Sequence, residues 1–144
     1  MAIVDITTTH GAVATGDRAR LATELAALTY EAEGFAGSAV APAVCWTFFN
    51  EGDPGAISTG AGLPAAALYY IQVTVLADAI DKSRKQKLGE AITSTLLAYE
   101  AQPVTPDDRN RVWVRFIDVV DGDLVVGGQS TSLIGLKALV AAQG

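Results

Sequence analysis

Four short runs of apolar, β-branched and aromatic residues punctuate the chain: "AIVDIT" at 2–7, "VCWTFFN" at 44–50, "YYIQVT" at 69–74 and "RVWVRFIDV" at 111–119. Each has the length and side-chain content of a strand. Between the first two, Leu21, Leu25 and Leu28 recur at helical spacing; between the last two, Leu88, Ile92 and Leu96 do the same. The pattern predicts strands over 2–8, 44–50, 69–76 and 111–119, with helices over 16–32 and 82–99. Thr15 and Asp81 stand at the N-cap positions of these helices. Gly34 and the small residues up to Pro42 stop the first helix, and "QPVTPDD" reads as a loop.

The two halves repeat. At an offset of 67 residues, "AIVDIT" falls on "YYIQVT", Leu21 and Leu25 fall on Leu88 and Ile92, and "CWTFFN" falls on "VWVRFI". Trp46 then meets Trp113, and Phe49 meets Phe116. One ungapped offset that aligns three separate elements points to a duplication.

Each half reads strand, helix, strand, and such a unit within one sheet is parallel and right-handed. Two units side by side predict an α+β fold: a four-stranded, mainly parallel sheet with both helices on one face. The other face is expected to be bare and apolar, so something must cover it. "VVDGDLVV" places Asp-Gly between apolar pairs and predicts a hairpin, and "STSLIGLKALVAAQ" predicts a short closing helix. The expected organisation is a single domain over 1–144. It comprises a first repeat at 2–50, a linker at 51–67, a second repeat at 69–128 and a C-terminal segment at 129–144. The Gly- and Pro-rich linker "EGDPGAISTGAGLPA" is too long for a tight turn.

Half of the residues are hydrophobic and 18% are charged, a composition that suits apolar surface buried between subunits. A net charge of −6 excludes the basic footprint of a nucleic-acid surface, and the run "KSRKQK" reads as a solvated helix face. Cys45 is the one cysteine, so no internal disulfide forms; inside an apolar run it packs as a small hydrophobe. The opening residues show no basic leader and cleavage site, and no apolar run approaches spanning length, so a cytoplasmic protein away from membranes is expected.

A duplicated strand–helix–strand unit with a strand starting at residue 2 and a "VVGG" hairpin near its end resembles the tautomerase superfamily. The likeness runs through "AIVDIT", "TFFNEGDPG", "KSRKQKLGEAIT" and "VWVRFIDV". The chain is most similar to the fused, double-length group around cis-3-chloroacrylic acid dehalogenase. The resemblance implies a homotrimer that covers the bare sheet face. It also implies catalysis by an amino-terminal proline, whose secondary amine acts as base, acid or nucleophile. Here the matching residue is Ala2, which would carry a primary amine if Met1 is removed.

Other family positions depart. The dehalogenase's paired arginines fall near Ala77 and Ile80, its helix-one histidine near Thr29 or Tyr30, its last-strand tyrosine on Arg115, and its water-activating glutamate near Val125 or Val126. Dehalogenation and hydration are therefore not expected.

The candidate catalytic residues are Ala2 and His10, the latter because imidazole exchanges protons near neutral pH. Arg115, on a strand expected to be buried, calls for a carboxylate from a ligand or from the protein itself. Tyr30, Trp46, Tyr69 and Trp113, with Asn50, are candidate pocket residues; the bland alternative is core or subunit contact. No cofactor and no metal site is expected, because one His and one Cys stand far apart in sequence.

Two functions fit. One is a weak tautomerase or isomerase acting on small 2-oxo or unsaturated carboxylic acids. The other is a non-catalytic trimer that binds a ligand or partner through the same pocket.

Overall fold

A computed structural model describes residues 1–100 and 104–143. The strands are β1 (Ala2–Thr9), β2 (Cys45–Gly52), β3 (Tyr69–Leu76) and β4 (Val112–Val119), with helices α1 (Arg18–Ala32) and α2 (Lys82–Leu97) between them. A short hairpin, β5 (Val125–Val126) and β6 (Gln129–Ser130), and helix α3 (Leu133–Ala142) complete the order.

The sheet runs β2-β1-β3-β4. β1 pairs parallel with β2 from Ala2↔Cys45, and β3 pairs parallel with β4 from Tyr69↔Val112, so both repeats keep one register. The central β1–β3 pair is antiparallel. Asp5 stands there opposite Gln72, its own partner under the 67-residue offset, so the two halves are related by a pseudo-twofold axis through that pair.

Period-two alternation decides the faces. Ala2, Val4, Ile6 and Thr8 are buried, as are Tyr69, Ile71, Val73 and Val75. These meet Leu21, Leu25, Leu88, Ile92 and Leu96 from the helices, all of them buried. Each of the Val, Ile and Leu side chains contributes about 1.5–3 kcal/mol on burial, so this layer is the main source of stability. α1 lies over β1 and β2, α2 lies against β4, and the helices touch each other.

Side-chain contacts repeat with the backbone. Arg18 pairs with Glu51 beneath the Phe49 ring, and Lys85 pairs with Asp118 beneath Phe116. The indole of Trp46 donates to the Ala43 carbonyl and that of Trp113 to the Asn110 carbonyl. All of these partners are separated by the same 67 residues.

Several local features differ from the sequence pattern. Asp81 caps α2 by accepting from the Arg84 amide at 2.8 Å, as expected, but Thr15 does not cap α1. It opens a 3-10 turn, Thr15–Asp17, that runs directly into the helix. The hairpin turns at Gly127–Gly128, whose φ angles of 57° and 81° suit a two-residue turn, and not at Asp121–Gly122. Residues 101–103 of the expected loop lie outside the described residues, and Pro106–Arg111 form a 3-10 helix. Glu51 and Gly52 belong to β2 and not to the linker.

The uncovered face also differs from expectation. Trp46, Phe48 and Trp113 are exposed on the two edge strands, and Asp5, Thr7, Gln72 and Thr74 stand with Ile3 and Tyr70 at the centre. It is an aromatic rim around a mixed, largely polar middle.

Candidate functional site

The head of β1 is where chain chemistry gathers. α1 ends at Glu33, because Gly34 takes φ +88° and the Phe35 amide closes back onto the Tyr30 carbonyl. This turn drives the Glu33 side chain inward, where its solvent exposure is 0%. Both carboxylate oxygens accept from the Met1 amine, at 3.1 and 3.0 Å. Burial pushes the Glu33 carboxyl above its ordinary range, and the neighbouring ammonium pulls it back.

Cys45, the parallel partner of Ala2, lies in the same pocket of structure. Burial, followed by the Glu33 charge, pushes its thiol up to about 11, so it stays protonated and packs as the expected hydrophobe. From the first turn of α2, the Arg84 guanidinium donates to the Ala32 carbonyl at 2.9 Å, one residue before Glu33. Its Nε also donates to Asp81. The site thus holds an amine, a buried carboxylate and a half-exposed guanidinium at one end of the sheet.

The corresponding end of the second repeat is closed. Glu100, the offset partner of Glu33, accepts from the Tyr69 hydroxyl at 2.9 Å and takes Arg111 through two bonds at 2.8 and 2.6 Å. Arg111 also reaches Asp108 and the Ala67 carbonyl. The Arg111 bonds hold the Glu100 carboxyl down, whereas burial and Glu100 together push the Tyr69 hydroxyl up. Every strong donor in this cluster faces an acceptor.

The residues singled out from sequence fall in separate places. Ala2 is buried on the helix-facing side of β1. Arg115 lies on the uncovered face, where it is exposed and donates to the Tyr70 hydroxyl at 3.4 Å. β4 is an edge strand and Arg115 points away from the helices, so it is not buried and does not share a cleft with Ala2. Trp46 and Trp113 sit on the same uncovered face, 62% and 71% exposed, with Asn50. Tyr69 points the other way, into the helix layer, and Tyr30 is half-buried on α1. These aromatic residues do not form one pocket within the chain.

His10 ends the opposite extremity of β1, roughly 26 Å of strand from Ala2. Its ring nitrogen Nδ1 lies 3.0 Å from Glu51, which also accepts from Arg18 at 2.7 Å. Ala77 is half-buried and Ile80 is buried, so neither position offers an anion a partner.

Two residues of the site, Glu33 and Arg84, escaped the sequence pattern. A signal existed for the first: an acidic residue directly before the helix-stopping glycine, with an acid, Glu100, standing at the same place in the second repeat. Arg84 lay hidden in a run of cations with no mark to separate it from a solvated face. Among the described residues no group of three or more His, Cys, Asp or Glu side chains is arranged to hold a metal ion.

No family model and no curated relative matches the sequence. Solved structures do. A member of the cis-3-chloroacrylic acid dehalogenase family superposes with a TM-score of 0.77 at 18% identity, over 99% of this chain and 92% of that one. A fused 4-OT solved as an asymmetric trimer gives 0.73 at 22%, over 93% and 98%. Pt0534 inactivated by 2-oxo-3-pentynoate gives 0.72 at 16%, over 93% and 98%. The chain has the tautomerase-superfamily fold. Among the described residues no helix is long and apolar enough to cross a membrane.

Proposed function

We propose that this chain is a proton-transfer protein of tautomerase type whose amino-terminal amine works as a pair with Glu33. The observation that carries this reading is the buried carboxylate holding the amine at 3.0 Å. A carboxylate kept from water and an amine at bonding distance can exchange a proton, and burial raises the proton affinity of Glu33. If Met1 is removed, the amine passes to Ala2, the position that the resemblance to the tautomerase superfamily gives to its amino-terminal proline. The substrate class is a small 2-oxo or unsaturated carboxylic acid. Arg84 takes its carboxylate in place of the arginines missing at Ala77 and Ile80, and the amine–Glu33 pair moves the proton between carbon and oxygen.

The working form is a homotrimer. The exposed Trp46, Phe48 and Trp113 support this, since three large aromatic side chains on one sheet face favour burial. Trimeric fused 4-OT structures, symmetric and asymmetric, support it as well.

A second reading rests on the same contact. Both Glu33 oxygens engage the amine, and an amine so held is a structural anchor in a trimer that binds a ligand or partner without chemistry. Reaction with 2-oxo-3-pentynoate, the compound that inactivates Pt0534, separates the two. A reactive amine adds through its lone pair to the alkyne carbon β to the ketone, the α carbon takes the proton, and the amino-terminal peptide gains the mass of one reagent. Peptide mass spectrometry reads this directly and also identifies the first residue. An unmodified amino-terminal peptide, after exposure that labels a free amino acid ester, sinks the catalytic reading.

A further inference from the structure

We propose that the groove between α2 and the free edge of β4 binds an extended segment of a partner protein, one with an acidic residue at each end of a short apolar stretch. The groove has a volume of ≈ 420 Å³, enough to take the side chains of a short peptide. It lies on the helix side of the sheet, away from the exposed tryptophans. Val112, Val114 and Phe116 of β4 line one side. Lys82, Gly89 and Thr93 mark the stripe of α2 that lines the other, next to the core stripe of Leu88, Ile92 and Leu96.

The charges along this groove select the occupant. Lys85 is neutralised, because its ammonium bonds both Asp118 oxygens at 2.8 and 2.7 Å. Glu90 lines the middle of the wall and accepts from Gln86. Among the described residues Lys82 and Arg109 form no ion pair, and the Arg109 guanidinium donates to the Ser94 hydroxyl at 3.0 Å. The two free cations therefore stand at opposite ends, separated by roughly 18 Å of helix. One small acid cannot meet both, whereas an extended chain spans that length in about five to six residues. Glu90 disfavours an acid between them, which leaves the two ends of the segment for its carboxylates.

The backbone on both sides suits such a segment. β4 pairs with β3 alone, so its outer N–H and C=O groups are free along eight residues in continuous register, and sheet edges of this kind take an added strand. Gly89 stands inside α2, where glycine weakens a helix relative to alanine. A Cβ there would meet nothing within 4 Å, so packing within the chain does not call for the glycine. Its absence leaves space where a second backbone can approach. The first repeat serves as an internal control: at the 67-residue offset Thr15, Ala22 and Pro42 replace Lys82, Gly89 and Arg109. Building the scaffold thus needs neither the two free cations nor the glycine.

A fluorescein-labelled peptide of the order Glu-Thr-Val-Thr-Val-Thr-Glu is the probe, since even spacing puts both acids and both valines on one face. Saturable fluorescence anisotropy is expected, with binding about tenfold weaker when both acids are replaced by lysine. Proline in place of the two valines keeps the charge, loses strand pairing and should weaken binding about as much. Gly89→Leu fills the groove and restores a good helix former, so it should abolish binding while leaving thermal stability equal or higher. Lys82→Glu and Arg109→Glu should each weaken it about fivefold or more. No saturable binding of the acidic peptide overturns the proposal, as does equal binding of the lysine or proline version or full binding by Gly89→Leu. A groove closed by a second copy of the chain would also overturn it, read as a lower mass of Gly89→Leu in light scattering. Labelling of the amino-terminal amine is read separately, so either result stands without the other.

Discussion

Glu33 and Glu100 occupy one position in the two repeats, each at the end of its helix and beside the start of its first strand, yet one holds an amine and the other an arginine. The difference follows from what the preceding strand supplies. Met1, directly before position 2, brings its charged amine, whereas position 69 brings a tyrosine whose hydroxyl shares the Glu100 carboxylate with Arg111. A duplicated scaffold thus carries one amine–carboxylate pair and one arginine–carboxylate network.

Removing the Glu33 charge tests the amine's anchor. Glu33→Gln is expected to leave urea-unfolding stability within about 1 kcal/mol of the wild type, because the weakened bond to the amine is offset by relief of the burial cost of the charge. It should also speed labelling of the amine by 2-oxo-3-pentynoate, because a competing acceptor has been weakened. A labelling rate that stays unchanged would show that Glu33 does not govern the amine.

Arg115→Ala should leave that labelling unaltered. The guanidinium stands on the opposite face of the sheet, in the cross-strand row of Asp5 and Gln72. Slower labelling in this variant, with the oligomer intact, would mean that a neighbouring subunit brings its arginine to the amine.

Trp46→Asp and Trp113→Asp should each convert the proposed trimer to smaller species without unfolding the chain, since both rings are exposed in the single subunit. Light scattering after gel filtration reads the mass, and circular dichroism reads the fold. A wild-type protein that runs as a monomer at micromolar concentration would remove the trimer.

The two carboxylates predict opposite pH effects. Glu100 is held below its ordinary 4.5, chiefly by hydrogen bonds from Arg111. A depressed carboxyl contributes stability that is complete above the unfolded value and is lost as pH falls through the folded one. Glu33 is raised by burial, so acidification favours the folded state there. Glu100→Gln should therefore flatten the loss of stability between about pH 5 and pH 3, and Glu33→Gln should steepen it. Urea midpoints across that range decide, and parallel curves for the three proteins would refute both assignments.

Much of this architecture was legible in the pattern of residues alone. Strand β3 begins and ends where the β-branched run does, and the Leu88, Ile92 and Leu96 spacing foretold the buried face of α2, because side-chain periodicity is a local property of the backbone. The 67-residue offset carried the parallel register of both halves. Local pattern had no means to say which sheet face is covered: "VWVRFIDV" reads as a buried run, yet Trp113 and Arg115 are exposed because they alternate onto the face that no helix packs against. Nor did it bring Glu33 to Met1 or Glu51 to His10, contacts that span 32 and 41 residues and exist only once the helices lie on the sheet. The sequence by itself determined the elements and their duplication, since these depend on neighbours along the chain. Tertiary structure alone decided which charged groups share a site, because that depends on which elements pack together.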